Sequence, residues 1–224
     1  MYWSARQLDC LQKLGVQRWI PRSAENPIAD VGSSVSTGAG TSWQTLQDQV
    51  VSCTACDLCK TRTQTVFGVG NLQADWMIIG EAPGADEDRQ GEPFVGKAGQ
   101  LLNGMLAAIG LPRPQVFIAN LLKCRPPNNR DPLPDEVAQC EIFLQRQIAL
   151  IQPKLLLVVG RIAAQNLLKT DTPVSKLRGQ LYYYGEQKIP LIATYHPAYL
   201  LRSPKEKAKA WQDLVFAKHF IQPA

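Results

Sequence analysis

MIIG-EAPGADEDRQGEPFVG-KAGQLLNGML, residues 77–106, is the stretch from which the fold can be read. Trp76–Ile79 is a short apolar run ending at Gly80, the pattern of a strand buried in a parallel sheet. Leu101, Leu102, Met105, Leu106 and Ile109 recur at helical spacing, and Gly110 follows as a stop signal. Between strand and helix lie the sixteen residues 81–96, with five carboxylates, two prolines, three glycines and the aromatic Phe94. Strand-to-helix connections usually take about two to six residues, so this one is long enough to carry a function. It leaves the sheet at the carboxyl end of a strand, where open α/β sheets bind ligands. The same charges would also suit a solvated acidic loop. The segment lacks the Gly-Lys-Ser/Thr ending of a P-loop and lacks G-x-G-x-x-G, which excludes the usual phosphate cradles. Glu81 directly follows the strand, a rigid position from which a carboxylate can orient or deprotonate water. Phe94, between Pro93 and Gly96, offers a ring face to a flat ligand.

The 224 residues suffice for one substantial core with an appendage. A formal charge of +5 and pI near 8.9 permit nucleic-acid binding without arguing for it. No apolar run approaches the ~20 residues of a membrane span, and the first thirty residues show no signal-peptide core, so a cytoplasmic protein with no membrane partner is expected. Six cysteines in a reducing compartment point to metal or redox chemistry before disulfides. Residues 1–42 read as a short amphipathic helix (Leu8, Leu11, Leu14) followed by a Gly/Ser/Ala/Thr-rich linker, and 43–224 as the domain.

Within that domain a helical face at Leu46, Val50 and Cys53 leads into CTACDLC. Further strands are expected over Val116–Leu122, Leu155–Val159, Leu181–Tyr184 and Ile189–Thr194. Helices are expected over Lys97–Ile109, Pro134–Leu150, Arg161–Lys169 and from Ser203-Pro204 to about Phe220. CRPPNNRDPLP, with four prolines, and Tyr195-His196-Pro197 read as loops. Strands alternating with helices imply a parallel sheet covered on both faces.

Cys53 and Cys56 form C-x₂-C, and Cys124 and Cys140 follow with fifteen residues between them, too wide for a zinc ribbon. Four soft thiolates suit an iron–sulfur cluster or zinc, and separated segments favour the cluster. Cys59 extends the first pair to C-x₂-C-x₂-C and is a further candidate, whereas Cys10 reads as an ordinary helix-face cysteine. His196 lies on the same sheet rim as Glu81 and Asn120. In the following AYLLR, Leu200 and Leu201 stand beside Arg202, which fits either helix packing or an apolar wedge into stacked bases with a cation on phosphate.

GEAPGADEDRQGEPFVGKAG, NLLKCRPPNNRDP, HPAYLLR and the cysteines C-x₂-C…C-x₁₅-C together resemble the family 4 uracil-DNA glycosylases, over roughly Val50 to Phe220. The resemblance implies a three-layer α/β/α sandwich around a central four-stranded parallel sheet, a monomeric enzyme acting on uracil-containing DNA, and a 4Fe–4S cluster on Cys53, Cys56, Cys124 and Cys140. It implies Glu81 and His196 as catalytic groups, Phe94 as the residue stacking on flipped uracil, Asn120 as the amide reading its polar edge, and Glu87 as a second pocket carboxylate. Leu200, Leu201 and Arg202 resemble the loop that intercalates into DNA. CRPPNNRDP carries no histidine, unlike the reactive loop of the related cross-linking branch. Two other classes stay open: a non-catalytic iron–sulfur DNA-binding module, and a nucleotide hydrolase using the acidic loop as a Mg²⁺ site.

Overall fold

The computed structural model describes residues 42–221. The expected N-terminal helix and linker, and Cys10 with them, lie outside the described residues. Helix α1 (Trp43–Val51) starts at Ser42, whose Oγ accepts from the Thr45 amide at 3.1 Å, and it buries Leu46 and Val50.

Among the described residues six strands form one sheet: β1 (Val69–Gly70), β2 (Trp76–Gly80), β3 (Phe117–Asn120), β4 (Leu155–Val159), β5 (Leu181–Tyr184) and β6 (Ile189–Thr194), in the order β1-β3-β2-β4-β6-β5. The four central strands are parallel, in a register that sets Ile78 beside Ile118, Ile79 beside Val158 and Val158 beside Ala193. The expected four-stranded parallel sheet is therefore the middle of a larger, mixed one, because β1 and β5 add antiparallel edges. A two-residue strand such as β1 carries no periodicity to read, and β5 turns straight back into β6 through Gly185–Lys188.

Buried on both faces, the central strands supply two cores by alternation. Trp76, Ile78 and Leu157 face α3 (Lys97–Ala108) and α8 (Lys207–Ile221), where Leu102, Leu106 and Leu214 pack. Met77, Ile79 and Val158 face the other way, onto α1, α4 (Pro134–Ile151) and α5 (Arg161–Leu168). These are the three layers.

The rim departs from the expected loops twice. The acidic connection folds a six-residue helix, α2 (Ala85–Gln90), which ends at Gly91 with φ +77°. His196 caps another short helix, α7 (Pro197–Arg202), which follows the four-residue helix α6 (Val174–Leu177) in chain order. Among the described residues no helix is long and apolar enough to cross a membrane.

Candidate active site and cysteine cavity

At the carboxyl ends of β2, β3 and β6 a cleft of about 440 Å³ opens, a volume suited to a small-molecule ligand. Glu81, Glu87, Phe94, Asn120, His196 and Arg202 all line it, although residues 81–202 span more than half of the chain. Glycines at the strand ends make this convergence possible. A Cβ on Gly80 would lie 2.4 Å from Asn120 Oδ1 and 2.7 Å from Phe94 Cζ. At Gly160, directly after β4, φ is +101° and a Cβ would lie 3.1 Å from His196 Cβ.

Phe94 is buried and holds φ +55°, a left-handed conformation disfavoured for an aromatic residue. Its ring stands 5.6 Å from the His196 ring at an interplanar angle of 30°. Strained backbone of this kind persists only where its surroundings over-determine it. Here Glu87 Oε1 accepts from the amides of Val95 at 3.0 Å and Gly96 at 3.3 Å, while its Oε2 accepts from Gly84 at 3.1 Å. The carboxylate expected to meet substrate thus ties α2 to the residues following Phe94. From the other side Arg113 donates to the carbonyls of Pro93 at 2.6 Å and Phe94 at 3.3 Å.

Asn120, the last residue of β3, is 2 % exposed, and its Oδ1 is buried without a hydrogen-bond partner. An orphaned buried acceptor is costly and marks a place for a donor that arrives with a ligand. His196 accepts the Ala198 amide on Nδ1 at 3.1 Å, so the neutral ring carries its proton on Nε2. Burial, and then the repulsion of Arg202, depress its pKa to about 4, against a smaller opposing pull from Glu87. Glu81 moves the opposite way. Burial, and then the repulsion of Asp131, raise its pKa to about 7 against an opposing pull from Arg161. One rim therefore offers a neutral donor and a carboxylate poised to exchange a proton near neutrality.

The segment expected to enter DNA divides. Leu200 is 1 % exposed and packs with Tyr195 and Ala210, so it belongs to the core and not to the protruding face. Leu201, at 43 % exposure, Arg202 and Tyr199 form the exposed side of α7.

The cysteines converge elsewhere. Cys53, Cys56, Cys59, Cys124 and Cys140 line one cavity with Arg62. Cys59 lies within the 3₁₀ turn Asp57–Lys60, and Cys56 directly precedes it as its N-cap. Arg62 donates to Cys124 Sγ at 3.1 Å, and the Lys123 amide donates to Cys140 Sγ at 3.2 Å. Burial raises the thiols of Cys56 and Cys124 and pushes Cys140 up to about 11, outweighing the opposing pull of Arg62 on Cys124 and of Lys123 on Cys140. Among the described residues no three Cys, His, Asp or Glu side chains stand close enough to grip a single metal ion. A cluster interposes its own iron and sulfide between its ligands, so its cysteines stand farther apart than those around one zinc. Soft sulfurs from three segments, two of them already receiving N–H donors, fit that group.

Two residues at the site went unnoticed in the sequence. Lys123, 1 % exposed, donates through Nζ to Asn120 O at 2.8 Å and to Gln147 Oε1 at 2.6 Å. Its sequence signals are its place within NLLKCRPPNNRDP and its adjacency to Cys124. Arg113 stands alone between Pro112 and Pro114, with no signal at all.

The Uracil DNA glycosylase superfamily profile matches residues 67–215. A type-4 uracil-DNA glycosylase of Archaeoglobus fulgidus is 50 % identical over 171 residues, covering 74 % of this chain and 86 % of that protein. The type-4 enzyme of Sulfurisphaera tokodaii is 44 % identical over 73 % of this chain and 77 % of its own length. That of Thermotoga maritima is 40 % identical over 79 % and 93 %. With Glu81, Phe94, Asn120 and His196 gathered on one rim and relatives matched over most of their length, the chain belongs to the uracil-DNA glycosylase superfamily and, within it, to the type-4 family.

Proposed function

We propose that the protein hydrolyses the N-glycosidic bond of uracil extruded from DNA, leaving an abasic site. The observation that carries this reading is the unpartnered Oδ1 of Asn120, which with the Phe94 ring borders the space left open at Gly80. Uracil offers a donor at N3–H where cytosine offers an acceptor. Oδ1 takes that hydrogen, and the amide N–H₂ donates to O4. Phe94 stacks on the base. As the bond from C1′ to N1 breaks, its electrons move into the base, and the Nε2–H of neutral His196 stabilises the charge growing on O2. Glu81 orients the attacking water and takes its proton as oxygen bonds to C1′. Glu87 positions the loop behind Phe94, and Leu201 and Arg202 meet the DNA strand.

Cys53, Cys56, Cys124 and Cys140 hold a 4Fe–4S cluster in this reading, with Cys59 outside the set. When bound, the cluster supplies a cross-link between three segments, and hydrolysis calls on no electron from it. Support comes from the shared cavity and from the N–H donors on sulfur. The protein acts as a cytoplasmic monomer, and residues 43–224 carry the activity, so removing 1–42 leaves excision intact.

The test is incubation with uracil-containing oligonucleotides in EDTA, followed by alkaline cleavage. Alkali-labile sites support the glycosylase, whereas cleavage lost in EDTA or binding without product would refute it. Anaerobically purified protein should be brown, absorbing near ~400 nm. Stoichiometric zinc without iron would exclude the cluster.

A further inference from the structure

We infer that Arg113 is a positioning residue that holds Phe94 in its left-handed conformation and so sets the stacking face of the base pocket. This rests on the glycosylase reading above, and it concerns a residue outside the motifs that carry the family resemblance.

Arg113 opens the 3₁₀ turn Arg113–Gln115 ahead of β3, nineteen residues beyond Phe94. Its half-buried guanidinium gathers three acceptors from two other segments. Nη2 meets Pro93 O at 2.6 Å, and Nη1 meets Phe94 O at 3.3 Å and Asn103 Oδ1 at 3.2 Å. The planar fork fixes the direction of both consecutive carbonyls, which a lysine ammonium cannot do. With Glu87 holding the amides of Val95 and Gly96, Phe94 is gripped through its carbonyl on one side and through the next two amides on the other. The packing is equally close. A Cβ on Gly99, in the first turn of α3, would stand 1.8 Å from Phe94 O. An aromatic residue at φ +55° returns to negative φ when released, and its ring then swings away from Asn120 and His196. Arg113 touches no reacting atom, so its effect on excision passes entirely through the Phe94 ring.

The test is a double-mutant cycle in the full-length protein, read by single-turnover uracil excision and by inhibition with free uracil. Arg113→Gln should slow excision about tenfold and weaken free uracil about as much, while affinity for abasic-site DNA stays within about twofold. In Phe94→Ala the same Arg113→Gln change should cost less than about twofold, because no ring remains to be positioned. Asn103→Ala, which removes one anchor of the guanidinium and leaves Arg113 in place, should give a smaller loss with the same dependence on Phe94. It serves as the second variant if Arg113→Gln does not fold. Losses that multiply in the double mutant, or equal weakening of free uracil and abasic-site DNA, would overturn the assignment. Absence of uracil excision by the unmodified protein would instead overturn the glycosylase reading on which it rests.

Discussion

The cleft and the cysteine cavity leave β3 within a few residues of each other, at Asn120 and at Cys124, yet their groups are treated in opposite ways. In the cleft the groups are left wanting. Asn120 Oδ1 has no partner, Phe94 sits at φ +55°, His196 is held neutral and Glu81 is raised to about 7. In the cavity, Cys124 and Cys140 already receive hydrogen bonds, from Arg62 and from the Lys123 amide. A surface that admits and releases a ligand keeps its polar groups unsatisfied until the ligand arrives. A surface that retains a permanent group satisfies them at once. Changes in the cleft should therefore be felt in turnover, and changes in the cavity in stability.

The largest effect should come from the cavity. Cys140→Ala removes the buried cysteine of α4 proposed as a cluster ligand, and should cost about 4 kcal/mol or more of unfolding free energy, with iron lost in parallel. Urea denaturation and iron analysis check this. An unchanged midpoint in iron-free protein would break the contrast.

Next comes Asn120→Asp, which turns an acceptor toward uracil O4 and should lower single-turnover excision at least roughly a hundredfold, about 2.7 kcal/mol, with iron content kept. Selectivity for uracil over cytosine should fall with it. Phe94→Ala should lose about 1–3 kcal/mol of stacking with selectivity unchanged. Both bases in otherwise identical single strands give the comparison.

A slightly smaller effect is expected from pH. With Glu81 near 7, excision should fall roughly fiftyfold from pH 7 to pH 5 as the carboxylate protonates. His196, neutral down to about 4, takes no part in that limb. Asp131→Asn should move the limb to lower pH, and Arg161→Gln should move it higher. A limb that ignores both substitutions, measured as single-turnover rate against pH, would remove Glu81 from the proton transfer.

The smallest effect belongs to Leu201→Ala. It should leave stability within about 0.5 kcal/mol while weakening binding to DNA, since its side chain is exposed. Denaturation and fluorescence anisotropy with labelled DNA separate the two.

Much of this arrangement was legible from residue patterns. Central strands buried on both faces read as unbroken apolar runs, and β4, β5 and β6 have the expected ends. The motifs located the rim because chain order and strand direction bring Glu81, Asn120 and His196 to one edge. What stayed hidden depended on tertiary approach. Helix α2 is acidic and six residues long, too short and too polar to show an apolar face. Leu200 and Leu201 are adjacent and chemically alike, and only the packing of α7 against Tyr195 and Ala210 sends one inward. Arg113 and Lys123 act on carbonyls that reach them only after the sheet has formed.

Strand β6 is the last of the four parallel strands to be synthesised, and it pairs with β4 across a span that includes α5, α6 and β5. His196 leaves its end, and the covering residues Ala210, Leu214 and Ala217 come later still, on α8. Loop closure over such distances is slow, and nothing N-terminal to β6 supplies a substitute for the imidazole. In the proposed glycosylase reading, a chain that has already formed β2, β3 and Asn120 therefore stays silent until β6 and α8 have joined the sheet.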